Sequence, residues 1–383
     1  MNLDLTEDQI QIRDAVRELC REEFAPHAAA WDAAQGVPIS AIEKLAEQGF
    51  LGMAIPEEWG GVGYDARTIV IVLEEIAKVS AALAIMIAVH NSVGALPVFR
   101  FGSDAQRKRF LPRLVSRELG AFSLSEPGAG SDAGALEAVA VRDGESYVLN
   151  GSKNWVTNGL NAGVYLVFAR TNKTAGNKGL SAFIVEKGAK GLVVGKPEDK
   201  MGLRGSETVS LSLEDLRVPA ENRLGAEGDG FKIAMSMLDA GRIGVAAQAL
   251  GVMTAAFEEA VKYAQQRTAF GAPLAKLQTI QFKLSEMERR VQCTRLLLHK
   301  AAWLRDTGRP YTREASMAKL FASEAATWVT HQAIQVHGGY GYVKEYAVER
   351  YYRDARVMEI YEGTSEIQRL VIARSALKDG VGV

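Results

Sequence analysis

Val164-Tyr165-Leu166-Val167-Phe168-Ala169 is the stretch on which the fold turns. It is a short run of β-branched, aromatic and apolar residues, the composition of a strand. Three runs of the same kind lie around it: Tyr147 to Leu149, Leu180 to Val185, and Val209 to Leu213. Turn signals such as Arg142-Asp143-Gly144 and Asn150-Gly151 separate them. No long amphipathic helix intervenes, so residues 121–230 fit a small antiparallel sandwich or barrel better than a βαβ sheet.

Both flanks of this island read as helical. Thr6 is placed to cap a helix with apolar positions Ile10, Ile12, Val16 and Leu19, the last three at four- and three-residue steps. Thr68 to Val89 is apolar on nearly every face and predicts one helix buried between others, just after Pro56 and the glycines of EEWGGVGYD break the chain. Beyond Gly230 three long helical segments follow, at about 231–265, 274–307 and 312–337. Gly271 and Pro273, then Gly308 and Pro310, punctuate them, and short loops predict an antiparallel bundle. The expectation is a mainly α protein in three parts: helical at 1–120, a small β sandwich or barrel at 121–230, and an antiparallel helical bundle at 231–383.

Composition narrows the function. In 383 residues, 45 Lys and Arg face 46 Asp and Glu, so the net field invites neither nucleic acid nor an anionic membrane. Cys20 and Cys293 are far apart and have no metal-ligand spacing, which reads as two reduced thiols. The N-terminus shows no basic region followed by an apolar stretch, and Ala81 to Val89 is far too short to span a bilayer. A cytoplasmic protein is the simplest account.

Three local features can carry chemistry. In Ile360-Tyr361-Glu362-Gly363-Thr364-Ser365-Glu366-Ile367-Gln368, Ser365 and Gln368 have capping-box spacing, so a helix should start there and run toward Leu377. Glu362 sits just before it, where apolar neighbours would disfavour its charge and make it a better proton acceptor. From spacing alone, a solvated glutamate assisting the helix dipole is the better reading. Ser123-Leu124-Ser125-Glu126-Pro127-Gly128-Ala129-Gly130-Ser131-Asp132 lets backbone approach a ligand, though a plain loop has the same composition. Gln335-Val336-His337-Gly338-Gly339-Tyr340-Gly341 ends a helix; its glycines read as a C-cap or as a surface for a pyrophosphate, and His337 as an ordinary capping or surface histidine. Gly61 to Ala66 matches GxGxxA but follows no strand, and no Walker A, HExxH or GxSxG run occurs.

Taken in order, SLSEPGAGSD, GSKNWVTNG, MGLRGSET, LDAGRIGVAAQALG, RTAFG, QVHGGYGY and YEGTSEIQR resemble the acyl-CoA dehydrogenase family over almost the whole chain, most closely its short-chain, butyryl-type branch. The resemblance implies an N-terminal helical domain, a central β-barrel domain and a C-terminal four-helix bundle, with one FAD per subunit between the β domain and the C-terminal helices. It implies that Phe122, Leu124, Ser125, Trp155 and Thr157 line the flavin and ribityl chain, with Thr364 and Glu366 completing the site. Arg267, Phe270, Gln278, Gln335, Val336, His337, Gly338 and Gly339 would reach the FAD of a neighbouring subunit, which requires a homotetramer. Ser131, Asp239, Arg242, Tyr361 and Gly363 would meet the acyl-CoA, although Arg242 also reads as a helix-surface salt bridge.

In such an enzyme Glu362 takes the α-proton of the thioester, the β-hydride passes to FAD, and electron-transferring flavoprotein reoxidises it. Some branches of the family carry the catalytic glutamate where this chain has Gly241, and glycine cannot be a base. Butyryl-CoA is the favoured substrate; branched-chain, medium-chain and alicyclic thioesters stay open. An acyl-CoA oxidase lacks support without a further C-terminal domain, and Glu362 counts against a flavin monooxygenase. A DNA-binding relative on the same fold is disfavoured by the charge balance.

Overall fold

The apolar runs that mark strands at 164–169 and 180–185 are continuous because both of their faces are buried. The structure, a computed structural model, describes residues 4–379. Residues 1–3 and 380–383, the outer limits of the first and third expected domains, lie outside the described residues.

The sheet contains β1 (Leu119–Ser123), β2 (Val139–Asp143), β3 (Ser146–Thr157), β4 (Ala162–Arg170), β5 (Leu180–Glu186), β6 (Leu192–Val194), β7 (Thr208–Pro219) and β8 (Arg223–Leu224). Its order is β6-β7-β3-β2-β4-β5-β8, with β1 running parallel beside β4. The expected barrel is therefore not closed. β6 offers three residues and β8 two, and they end the path without pairing with each other. Nor is the sheet wholly antiparallel, since β4 pairs in parallel with both β1 and β2.

One face of β4 and β5 presents Val164, Leu166, Phe168, Leu180, Ala182 and Ile184 to Phe110, Leu111, Leu114, Ile233 and Ala234. The other presents Tyr165, Val167, Phe183 and Val185 to Leu149, Val209 and Leu211 of the curled β3 and β7. Each such side chain contributes about 2 kcal/mol by leaving water. Asn150-Gly151 is not the expected turn. It is a bulge inside β3, where Gly151 takes φ +144° and the pairing shifts between Leu149 and Gly151. The Asn150 side chain and Asp215 exchange two hydrogen bonds across it, at 3.0 and 2.9 Å.

The helices are α1 (Glu7–Leu19), α2 (Ala28–Ala34), α3 (Ile39–Glu47), α4 (Ala66–Val79), α5 (Ala81–Val89), α6 (Leu96–Phe101), α7 (Asp104–Ser116), α8 (Gly230–Gln266), α9 (Gln278–Asp306), α10 (Thr312–His337), α11 (Val348–Arg356) and α12 (Ser365–Asp379). Thr6 caps α1 in a full capping box with Gln9. The single buried helix expected over 68–89 is two helices. Ser80 adopts an extended backbone that ends α4, and its hydroxyl caps α5 by accepting from Leu83 N.

The apolar segment after that break is also longer than expected. α5, a π-helical turn at His90–Ala95 and α6 form 21 continuous helical residues, long and apolar enough to cross a membrane, as is α8. Both are almost wholly packed inside the protein, so burial and not length marks them as core. α8 packs against α10, α9 and α4 and carries the C-terminal bundle.

The N-terminal helices and the sheet meet at a polar weld. His90 Nδ1 accepts from Gly120 N at 2.8 Å, which leaves Nε2 as the donor to Leu51 O, also 2.8 Å. Burial pushes the His90 pKa down to about 4, so the ring is neutral. Asn158 donates to Met86 O and Gly120 O, and Gly94 lies so close to Gly120 that a Cβ on either would meet the other's backbone within about 3 Å.

Candidate active site

α12 begins where a strained turn ends. Glu362 has φ +53° and Gly363 φ +89°, so the chain passes through two left-handed residues before the helix. The cap is not the expected Ser365–Gln368 box. Thr364 Oγ1 accepts from Ile367 N at 3.3 Å, while Ser365 Oγ is buried without a partner. The left-handed turn aims the Glu362 and Gly363 carbonyls inward, and Gln368 Nε2 donates to both, at 3.2 and 2.9 Å. Lys319, fully buried on α10, donates to the Gly363 carbonyl at 2.7 Å.

The turn delivers the Glu362 carboxylate onto the bare backbone of α8. A Cβ built on Gly241 would lie 2.4 Å from Glu362 Oε2. Oε2 is sheltered from solvent and accepts no hydrogen bond. Desolvation pushes the Glu362 pKa up to about 7, against the pull of Arg242 and Lys319. The group is therefore a carboxylate poised to hold or release a proton near neutrality.

Arg242 is no surface residue: it is buried on α8, and Nη1 donates to Asp239 Oδ1 at 2.6 Å and to Ser316 Oγ at 3.3 Å. Asp239 Oδ2 accepts from Thr312 at 2.5 Å. Tyr361, beside Glu362, donates to Gln248 Oε1, and Gln248 Nε2 donates to Ala81 O at 2.7 Å. Glu366 is exposed in the first turn of α12, with Arg369 at 3.7 Å. The structure thus gathers Asp239, Arg242, Tyr361, Glu362, Gly363 and Thr364 in one place.

A second group borders the sheet. Phe122 packs edge-on against Phe168 at 4.9 Å and also touches the helical core that Tyr361 borders. Leu124 is buried, Ser125 O accepts from Asn154 N at 2.9 Å, and Thr157 lies at the end of β3. Trp155 is exposed at φ +60°. Ser131 is exposed, and a Cβ on Gly128 or Gly130 would meet nothing within 4 Å. Beneath this loop Lys153 Nζ meets Glu126 Oε1 at 2.7 Å in a buried pair, and Glu126 also accepts from Glu137 N and Ala138 N.

The third group is elsewhere. Lys319 and His337 are separated by about 27 Å along α10 at 1.5 Å per residue. Arg267, Val336, His337, Gly338 and Gly339 line an open cleft of about 540 Å³ with Tyr263 and Tyr340. His337 is buried rather than a surface histidine: it stacks on Tyr263 at 4.2 Å and Nδ1 bonds Ala333 O at 2.8 Å. Gln278 and Gln335 are exposed, and Phe270, 94% exposed at φ +53°, tips the hairpin after α8. None of these residues is brought to Glu362 within the chain.

Lys319, Gln248 and the Glu126–Lys153 pair are not singled out by the sequence, and Gln368, expected as a capping partner, instead holds the Glu362 and Gly363 carbonyls. Lys319 had a signal: one cation inside the small apolar run Ala318 to Ala322 of a helix expected to be core.

Sequence models of the acyl-CoA dehydrogenase N-terminal, middle and C-terminal domains match residues 6–118, 121–216 and 228–377. The chain belongs to the acyl-CoA dehydrogenase family. It is 50% identical over 378 residues to the mitochondrial short-chain specific acyl-CoA dehydrogenase of Rattus norvegicus, covering 98% of this chain and 92% of that one. The butyryl-CoA dehydrogenase of Megasphaera elsdenii superposes with TM-score 0.97 at 44% identity, over 98% of this chain and all of that one. A chain from a structure described as the electron transferring flavoprotein of Acidaminococcus fermentans gives TM-score 0.98 at 45% identity, over 99% and 100%. The order of its parts, helical then β then helical, is the one the sequence texture predicts.

Proposed function

We propose that this enzyme catalyses FAD-dependent α,β-dehydrogenation of a short-chain acyl-CoA to the trans-2-enoyl-CoA, with Glu362 as the base. The single observation that carries the reading is the Glu362 carboxylate: sheltered, without a hydrogen bond at Oε2, and resting on Gly241. A surface glutamate serving the dipole of α12 would be solvated. The similarity to butyryl-type relatives supports the chain length.

The residues present fit a flavin. Phe122, Leu124 and Trp155 offer aromatic and apolar flanks, Ser123 Oγ is buried without a partner, and the loop glycines have open space above them. Phe122, Leu124, Ser125, Trp155 and Thr157 would hold the isoalloxazine and ribityl portions, with Thr364 and Glu366 at the edge. FAD, when bound, supplies the acceptor for the β-hydride.

The chain's own residues do the rest. Ser131, Asp239 and Arg242 hold the CoA portion, and Tyr361 and Gly363 border the acyl thioester. The Glu362 backbone N–H donates to the thioester oxygen and stabilises the enolate that forms as the α-proton leaves. The Glu362 carboxylate accepts that proton. Packing around the turn excludes water, which raises the proton affinity of the base.

The exposed Phe270 hairpin and the Arg267–His337 cleft support a homotetramer in which these residues, with Gln278, Gln335, Val336, Gly338 and Gly339, reach a neighbour's FAD. Electron-transferring flavoprotein is the proposed acceptor, and the Acidaminococcus likeness supports it. The enzyme is proposed to be cytoplasmic, its three parts dividing at 120 and 230; the two free cysteines accord with that compartment.

The test is anaerobic addition of butyryl-CoA to the yellow holoenzyme. The wild type bleaches, and Glu362→Gln binds FAD but barely bleaches. Equal bleaching removes Glu362 as base, and a chain that takes up no FAD removes the flavin reading.

A further inference from the structure

Lysine is almost never fully buried unless paired, yet Lys319 sits at 0% exposure in the middle of α10 and makes no ion pair within 4 Å among the described residues. Its hydrogen bond goes to a main-chain carbonyl, that of Gly363. Burying an ammonium costs several kcal/mol, so an uncompensated one is expected only where it does something an apolar residue cannot. The carbonyl it holds belongs to the residue after Glu362, in the one segment of this site where the backbone is left-handed at two successive positions.

We propose that Lys319 is a positioning residue for the reaction: its buried ammonium clamps the Gly363 carbonyl, holds Glu362 in its left-handed turn over Gly241, and supplies a fixed positive charge beside the Glu362 carboxylate. This inference rests on the reading of Glu362 as the base.

The charges around the turn can be named element by element. α8 contributes Arg242 and its partner Asp239, α10 contributes Lys319, the turn after α11 contributes Glu359, and α12 contributes Glu366. Tyr361 is adjacent and its hydroxyl is engaged by Gln248. Arg242 is already neutralised in part by Asp239 at 2.6 Å. Lys319 has no such direct counter-ion, and its charge acts on Glu362 alongside that of Arg242. The same burial lowers the Lys319 pKa to about 8, with Glu362 foremost among the groups that raise it again.

The test compares wild type, Lys319→Met, Lys319→Gln and Lys319→Arg as FAD-loaded enzymes. Two readouts are used: the pH profile of anaerobic bleaching by butyryl-CoA, and infrared titration of the Glu362 carboxyl, assigned by its loss in Glu362→Gln. Removing a neighbouring opposite charge raises a carboxyl pKa by about one unit or more. Lys319→Met should therefore move the acid limb and the infrared midpoint upward together by about one pH unit, and slow bleaching about tenfold at a pH below the limb. Lys319→Arg should bring both back toward wild type.

If Lys319→Met does not fold, Arg and Gln decide, since both keep a donor for the carbonyl and only Arg keeps the charge. An unmoved midpoint and limb in the neutral variants, with only the amplitude reduced, would overturn the proposal and leave Glu362 as base. A Glu362→Gln enzyme that bleaches like wild type would instead overturn the reading beneath it.

Discussion

Replacing Gly241 by alanine should strengthen the helix and weaken the chemistry, because the new methyl group lands on the base. The Cβ would lie 2.4 Å from Glu362 Oε2 and 3.1 Å from its Cδ, where ordinary contact begins near 3.4 Å. The carboxylate must therefore retreat by about 1 Å, a displacement that costs about 100-fold when it separates a catalytic group from its target. That is about 2.7 kcal/mol on the barrier. The clash falls on the far end of a flexible side chain, so the fold absorbs it. Meanwhile Gly241 lies inside α8 with no left-handed backbone demand, and alanine there stabilises by about 0.5–1 kcal/mol.

Stopped-flow anaerobic bleaching with butyryl-CoA, alongside thermal melts, reads both effects. The expected result is a higher Tm with reduction slowed about 100-fold. Pairing Gly241→Ala with Glu362→Asp should be less harmful than the two losses summed, since the shorter acid vacates the space the methyl needs. A wild-type bleaching rate in Gly241→Ala would refute the placement of the carboxylate on α8, and strict additivity in the double variant would refute the steric cause.

Four further outcomes follow from the same geometry. Glu362 acts ionised, so bleaching should fall as pH drops through about 7; its raised pKa also means that the stability it contributes is present below about 4.5 and lost as pH rises through 7. Glu362→Gln should accordingly melt higher than wild type at pH 8, by up to about 3 kcal/mol, with the gap closing toward pH 4.5. Thr364→Ala should cost about 1 kcal/mol in denaturant unfolding, whereas Ser365→Ala stays within about 0.5 kcal/mol, because Thr364 is the cap. Lys153→Met leaves Glu126 buried without its counter-ion and should cost about 3–5 kcal/mol, much of it recovered by adding Glu126→Gln.

Periodicity exposed what depends on burial patterns. The β island, the long C-terminal helices and their Gly/Pro breaks are all visible because a face hidden from water must be apolar. What escaped depends on partners distant in sequence. Ser80 ends a helix inside an apolar run, where hydropathy is blind to a single hydroxyl. Asn150-Gly151 has turn chemistry, yet Asp215, 65 residues on, recruits it into a bulge. The open sheet edge depends on how few residues β6 and β8 contribute, and strand composition says nothing of closure. At the site, YEGTSEIQR pointed to Glu362 through its resemblance, but the shift of the cap to Thr364 follows from the left-handed backbone at Glu362, which few non-glycine residues adopt.

The weld between the N-terminal helices and the sheet bears on how this protein can be recombined. A cut near residue 120 looks like a clean border by texture, yet His90, Gly94, Gly120 and Asn158 form one joint whose members lie on both sides of it. A chimaera that takes its middle segment from a relative must import a glycine facing Gly94 and an asparagine able to reach Met86 O, or strand a neutral, buried imidazole. The three segments are thus interchangeable as architecture but not as parts, and exchange between relatives should succeed only where all four residues travel together or already match.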